Sequence, residues 1–122
     1  MLQKQMQRTK IPYWKQEFKK DIERKMQAST QEYNKYKKTK KTIYLQQAGN
    51  KLFSITENYM MIKYGKRKFS YKSIYDLVKS DERDEELLRE ALNLHYFFYN
   101  GKLHMPIWMA VRDYKKVRDK LN

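Results

Sequence analysis

The 122-residue chain has no cysteine, only three glycines and only two prolines. Without cysteine there is no disulfide framework and no thiolate metal site. Three isolated glycines leave no glycine-rich phosphate loop, which argues against a nucleotide hydrolase. No stretch approaches the roughly 18 consecutive apolar residues of a membrane span. The opening MLQKQMQRTK lacks the apolar segment of a secretory leader, so the sequence predicts a cytoplasmic protein. Acidic residues are scarce as well: 14 Asp and Glu face 28 Lys and Arg, for a net charge of +14. A cytosolic protein this basic is expected to meet a polyanion, because counterion release from phosphates drives such association.

What is present supports folding. Hydrophobic residues make up 40% of the chain, enough for one compact domain of this length. Eleven tyrosines and seven methionines supply much of that share, and both types fill irregular cores and contact surfaces. The charge is uneven. Residues 1–70 hold 18 Lys/Arg against 5 Asp/Glu, whereas residues 71–122 hold 10 against 9.

Along the chain, residues 1–10 read as a flexible basic arm. Pro12 opens a helix in which Trp14, Phe18, Ile22 and Met26 recur at every fourth position. Ser29 followed by Glu32 has capping-box spacing and predicts a second helix from Ser29, with Tyr33 and Tyr36 inward. TIYLQQAGNKLFSI places β-formers on both sides of Gly49-Asn50 and reads as a hairpin, followed by a helix from Thr56 to near Gly65. A short helix over SYKSIYDLV and a longer one capped by Ser80, with an acidic first turn, come next. LHYFFYNGKLHM then reads as a hairpin on Asn100-Gly101, and Pro106 starts a closing helix. The order helix, helix, hairpin, helix therefore occurs twice, and Ser29/Ser80 and Lys51/Lys102 share a separation of 51 positions.

That order is the order of a winged helix-turn-helix. YKSIYDLVKSDERDEELLREALN, YFFYNGKLHM and WMAVRDYKKVRDKL, together with IPYW near the start, resemble the small excisionases of Gram-positive conjugative elements, which are related in fold to MerR-type DNA-binding domains. A doubled unit of this size resembles the small TraN-type DNA-binding proteins of Gram-positive conjugative plasmids. The resemblance implies an α+β protein of two winged helix-turn-helix modules in an internal pseudo-dimer, with short antiparallel β-hairpins centrally. The modules would span 11–68 and 69–122. It also implies an accessory or regulatory role on a mobile element linked to type IV secretion, with other conjugation or relaxosome proteins as partners. The expected molecule is a monomer that binds double-stranded DNA, without catalysis, cofactor or metal.

Within that reading Gln31 and Asn34 are the base-contacting candidates, since amide side chains match adenine in the major groove. Thr30 would bond a phosphate at the helix N-terminus. Lys35, Lys37, Lys38, Lys40 and Lys41 would hold the backbone, with Lys51 on the first wing and Lys66, Arg67 and Lys68 at the junction. The second module is less suited, because Asp81, Glu82, Asp84, Glu85 and Glu86 would repel phosphates; its candidates are Arg83, Arg89 and, on the wing, Lys102. Two other classes compete. A small basic endoribonucleolytic toxin would use His95, Tyr96, His104 and Arg112, and an RNA or single-strand binder would stack bases on the aromatic run 96–99.

Overall fold

A computed structural model describes residues 12–68 and 70–122, so the expected basic arm over 1–10 lies outside the described residues. Among the described residues five α-helices follow one another: α1 (Tyr13–Thr39), α2 (Thr42–Tyr64), α3 (Tyr71–Val78), α4 (Glu82–Asn100) and α5 (Ile107–Leu121), with a 3-10 turn at Gly101–Leu103 before α5. No strand occurs among the described residues. The α+β expectation, with its hairpins, wings and winged-helix pseudo-dimer, is therefore wrong; the described residues form an all-helical protein. No helix among the described residues is long and apolar enough to cross a membrane.

Each error has a local cause. Ser29 does not start a helix, because nothing between Tyr13 and Thr39 breaks one: the stretch lacks both Gly and Pro. Its hydroxyl is fully buried and instead donates to the Ala48 carbonyl at 2.9 Å, with the Tyr114 hydroxyl 2.9 Å away. Gly49-Asn50 does not turn the chain either. Leu45, Ala48, Leu52, Phe53, Ile55, Thr56 and Met60 are buried at helical spacing, and this 3.6-residue period prevails over a two-residue turn signal. Gly49 serves packing: a Cβ there would lie 3.3 Å from Leu94 Cδ2, so its absence lets α2 and α4 approach closely. At Asn100-Gly101, α4 runs on to Asn100 and the expected wing is the tail of a helix plus the 3-10 turn. Thr56, expected as a helix cap, lies inside α2 with its hydroxyl on the Leu52 carbonyl.

The ends that were legible used the expected residues or their neighbours. Pro12 and Pro106 stand immediately before α1 and α5, one position earlier than expected. Asp81, not Ser80, caps α4 by accepting from the Asp84 N–H at 3.1 Å. Gly65, at φ +69°, ends α2 as a Schellman turn, with Gly65 N–H on the Ile62 carbonyl and Lys66 N–H on that of Met61. Lys40 ends α1 in the left-handed conformation (φ 59°), its N–H on the Tyr36 carbonyl.

Cross-helix pairs fix the topology. Asp21–Asn58, Ser29–Ala48 and Glu32–Lys51 run antiparallel along α1 and α2. Tyr64–Asp84, Asn50–His95 and Gln46–Phe97 do the same along α2 and α4, and Lys120–Glu86 and Lys116–Glu90 along α4 and α5. The four long helices thus alternate in direction, as in an up-down-up-down bundle, with α2 in extensive contact with α1, α4 and α5. One hydrophobic cluster draws on both halves of the chain, from Tyr33, Leu45 and Leu52 to Ile74, Leu87, Leu94, Phe97 and Val117. Tyr33 stacks on Tyr114 (4.3 Å between centroids), tying α1 to α5 through the core.

Candidate nucleic-acid interface

Folding segregates charge in a way the linear halves do not show. Residues 33–56 contain six lysines and no acid; residues 91–112 contain Lys102, Arg112 and no acid. The antiparallel pairing of α2 with α4 brings these two spans to the same end of the bundle, since Gln46 donates to the carbonyls of Phe97 and Phe98, both at 3.1 Å. All fourteen acids lie in the middle of the bundle or toward the opposite end, where α3 connects α2 to α4. We call the two extremities the lysine end and the α3 end.

At the lysine end, α1 closes with Lys35, Lys37, Lys38, Lys40 and Lys41, all exposed. Lys37 and Lys38 lie in the last turn, where cations also offset the negative pole of the helix. Three of these side chains are laid over rings: Lys35 over Tyr44 (5.7 Å), Lys37 over Tyr33 (5.5 Å) and Lys40 over Tyr36 (5.6 Å). The rings of Tyr33 and Tyr36 are themselves buried, so the ammonium groups rest on a fixed aromatic base while remaining open to solvent.

The outer face of α1 continues this surface. Tyr33, Tyr36 and Ser29 point into the core, which leaves Gln27, Gln31, Asn34, Lys35 and Lys38 exposed on the opposite face. Between Arg24 and Lys41 one acid occurs, Glu32, and it is drawn inward onto Lys51 of α2. The outer stripe is therefore amide and cation without carboxylate. Gln31 and Asn34 lie in the middle of a continuous helix and not at the start of a recognition helix. Thr30 is exposed but also mid-helix, so the expected phosphate site at a free helix N-terminus is absent there: the nearby backbone N–H groups are committed to the helix.

The remaining predicted residues are scattered. Lys51 is a half-buried ion-pair partner on α2 and not a wing residue. Lys102 sits exposed in the 3-10 turn at the lysine end. Lys66, Arg67 and Lys68 are exposed but follow α2 at the α3 end, separated from Lys41 by the whole of α2, roughly 35 Å at about 1.5 Å per residue. Arg83 is engaged with the Lys120 carbonyl (2.6 Å) and the Tyr59 hydroxyl (3.4 Å), and Arg89 with Glu85 (3.3 Å).

The α3 end is held by ion pairs. Asp84 is fully buried; its Oδ2 accepts from Lys63 Nζ at 2.5 Å and from the Tyr64 hydroxyl at 2.7 Å. Burial, the bond to Asp84 and the carboxylate's charge together push the Tyr64 phenol up to about 12. The hydrogen bond to Asp84 likewise raises Lys63. Glu90, also buried, is met by Lys120 at 2.6 Å and Lys116 at 3.5 Å.

The histidines meet around Tyr96. His95 stacks on Phe53 (4.3 Å), contacts the Asn50 side-chain oxygen at 3.0 Å, and is lowered in pKa by burial. His104 contacts the Asn93 side-chain oxygen at 3.3 Å, and its ring lies 5.5 Å from that of Tyr96. Among the described residues no group of three or more His, Cys, Asp or Glu is placed to hold a metal ion. In sequence, the acid-free spans 33–56 and 91–112 were readable, but their meeting at one end needed the helix directions. Compared with protein-family models, curated proteins and solved structures, the chain matches none.

Proposed function

We propose that the protein binds double-stranded DNA without catalysis, through the lysine end and the adjoining outer face of α1. The observation that carries this reading is the acid-free extremity itself: Lys35, Lys37, Lys38, Lys40, Lys41 and Lys102 converge there, while Lys51 and Arg112 of the same two spans are paired with Glu32 and Asp113. Such a field attracts a phosphate backbone over distance and releases counterions on contact. Lys35, Lys37, Lys38, Lys40, Lys41 and Lys102 serve as the backbone contacts. Gln31 and Asn34 stand on a helix whose width of about 10–12 Å suits the major groove, and they take the base-contacting role. Lys66, Arg67 and Lys68 reach phosphates only where the duplex extends along the bundle. An accessory or regulatory role on a conjugative element, among relaxosome proteins, belongs to this proposal through the resemblance of short stretches alone.

A salt titration on a blunt duplex, the corresponding single strand and a structured RNA tests the reading. Duplex preference with affinity falling steeply as salt rises is expected. Equal or tighter RNA binding contradicts it.

A second reading has one observation behind it: the Tyr96 ring lies between His95 (6.0 Å) and His104 (5.5 Å) in a cationic setting, which suits ribonucleolytic chemistry. It ranks lower, because Asn50 and Phe53 already hold the His95 ring and Asn93 holds that of His104. RNA cleavage lost on substituting both histidines is the result that would raise it.

A further inference from the structure

We infer that the lysine end also carries a stacking site for unpaired bases, built from Tyr96, Tyr99 and Leu103, with Trp108 as a second platform on the first turn of α5. This rests on the proposed DNA-binding reading for its phosphate contacts.

The α4 register produces the site. Phe97 and Leu94 are fully buried, so Tyr96 and Tyr99 fall on the outer side of the helix. Tyr99 is 69% exposed, Leu103 94% and Trp108 63%, an unusual concentration of bare apolar area within ten residues of an otherwise polar surface. The tyrosine rings are not loose. Tyr99 meets the His95 ring edge-on at 5.0 Å, and His95 is in turn stacked on Phe53 of α2. Tyr96 meets the His104 ring at 5.5 Å. Rings already held in place lose little freedom when a base stacks on them.

Charge selects the occupant. No Asp or Glu occurs from Ala91 to Arg112, and Lys102 stands between Tyr99 and Leu103 in sequence; the Arg112 guanidinium, which also donates to Asp113 at 3.3 Å, lies 5.5 Å from the centre of the Trp108 ring. A base with its own phosphate satisfies both halves of this pattern, a ring face and a cation, as at other sites that take single strands. The ligand is therefore a nucleic acid whose duplex ends in, or is interrupted by, unpaired bases.

Three DNA ligands separate bases from phosphates: a blunt duplex, the same duplex with a six-nucleotide single-stranded extension, and that extension made abasic. The extension is expected to tighten binding at least about tenfold and the abasic one not to, because bases stack on exposed aromatic rings and an abasic sugar cannot. Tyr99→Ala combined with Leu103→Ser and Trp108→Ala should abolish the gain while leaving blunt-duplex affinity unchanged, and Tyr99→Phe should keep it. These positions are exposed, and far-UV circular dichroism is the check that the variants fold. Equal affinity for the abasic and base-bearing extensions overturns the inference, as does an equal loss on blunt and extended duplexes in the triple variant. Base-dependent binding of the free six-nucleotide strand without any binding of blunt duplex overturns the duplex reading and leaves the stacking site standing.

Discussion

The two ends of the bundle are built on different principles. The α3 end is tied by charges of both signs: Lys63 and Tyr64 converge on buried Asp84, and Lys116 and Lys120 on buried Glu90. The lysine end carries no carboxylate and is closed by other means. Gln46 reaches from α2 to the last carbonyls of α4, Lys40 ends α1 in the left-handed region, and lysine stems lie across buried tyrosines. Where cations are paired, they hold the fold together. Where they are left unpaired and crowded, they repel one another, and such an end gains most from an external polyanion.

Reversing charge at each end in turn tests this contrast most strongly. Lys35→Glu/Lys38→Glu/Lys41→Glu should weaken duplex binding about a hundredfold or more and flatten the salt dependence by roughly three contacts at ~0.9 each. The same reversal at Lys66, Arg67 and Lys68 should cost less than about tenfold. Comparable losses from both variants would erase the distinction between the ends.

For stability the order of the ends is inverted. Asp84→Ala leaves Lys63 and Tyr64 without their shared acceptor and should destabilise the fold by about 2–4 kcal/mol, less than for a fully buried pair because Lys63 is partly exposed. Denaturant titration reads this, and DNA affinity of the folded variant should not change. At the lysine end, Gln46→Ala frees the Phe97 and Phe98 carbonyls to partly accessible surroundings and should cost only about 1 kcal/mol. A larger loss at Gln46 than at Asp84 would show that the lysine end is the better anchored of the two.

The smallest effect is alkaline. Tyr64 has a folded pKa raised above its ordinary value of 10.0, to about 12. The stability it contributes is fully present below pH 10 and is lost as pH rises from 10 toward 12. Ultraviolet titration of the tyrosines should show a late-ionising phase that shrinks in Tyr64→Phe, the remainder belonging to Tyr114, which burial also raises. An unchanged late phase would mean that Asp84 does not hold the phenol.

Much of the helical layout was legible because its signals are local. Pro12 and Pro106 precede α1 and α5, the acidic first turn announces α4, and Gly65 closes α2. The β-hairpins were not there because Gly49-Asn50 and Asn100-Gly101 look like turns only within a window of a few residues. Gly49 answers to Leu94, 45 positions later in the chain, and Ser29 answers to Ala48 and Tyr114, so neither role shows in its neighbours. The period of Leu45, Ala48, Leu52, Phe53 and Ile55 was the available sign of a helix, and the β-propensity of Thr42, Ile43 and Tyr44 masked it. The candidate lysines 35 to 41 were read from the sequence as backbone contacts on and just after the outer face of an expected recognition helix. That Lys102 joins them and Lys66 to Lys68 do not follows only from helix direction.

Lysine reactivity, measured by mass spectrometry with a small acylating reagent in the presence and absence of a saturating DNA duplex, tests the central claim most directly. Lys35, Lys37, Lys38, Lys40, Lys41 and Lys102 should become protected together, while Lys66, Lys68, Lys72 and Lys79 at the α3 end keep their free-state reactivity. Protection centred on the α3 end, or spread evenly over the lysines of both ends, would contradict a DNA-binding lysine end.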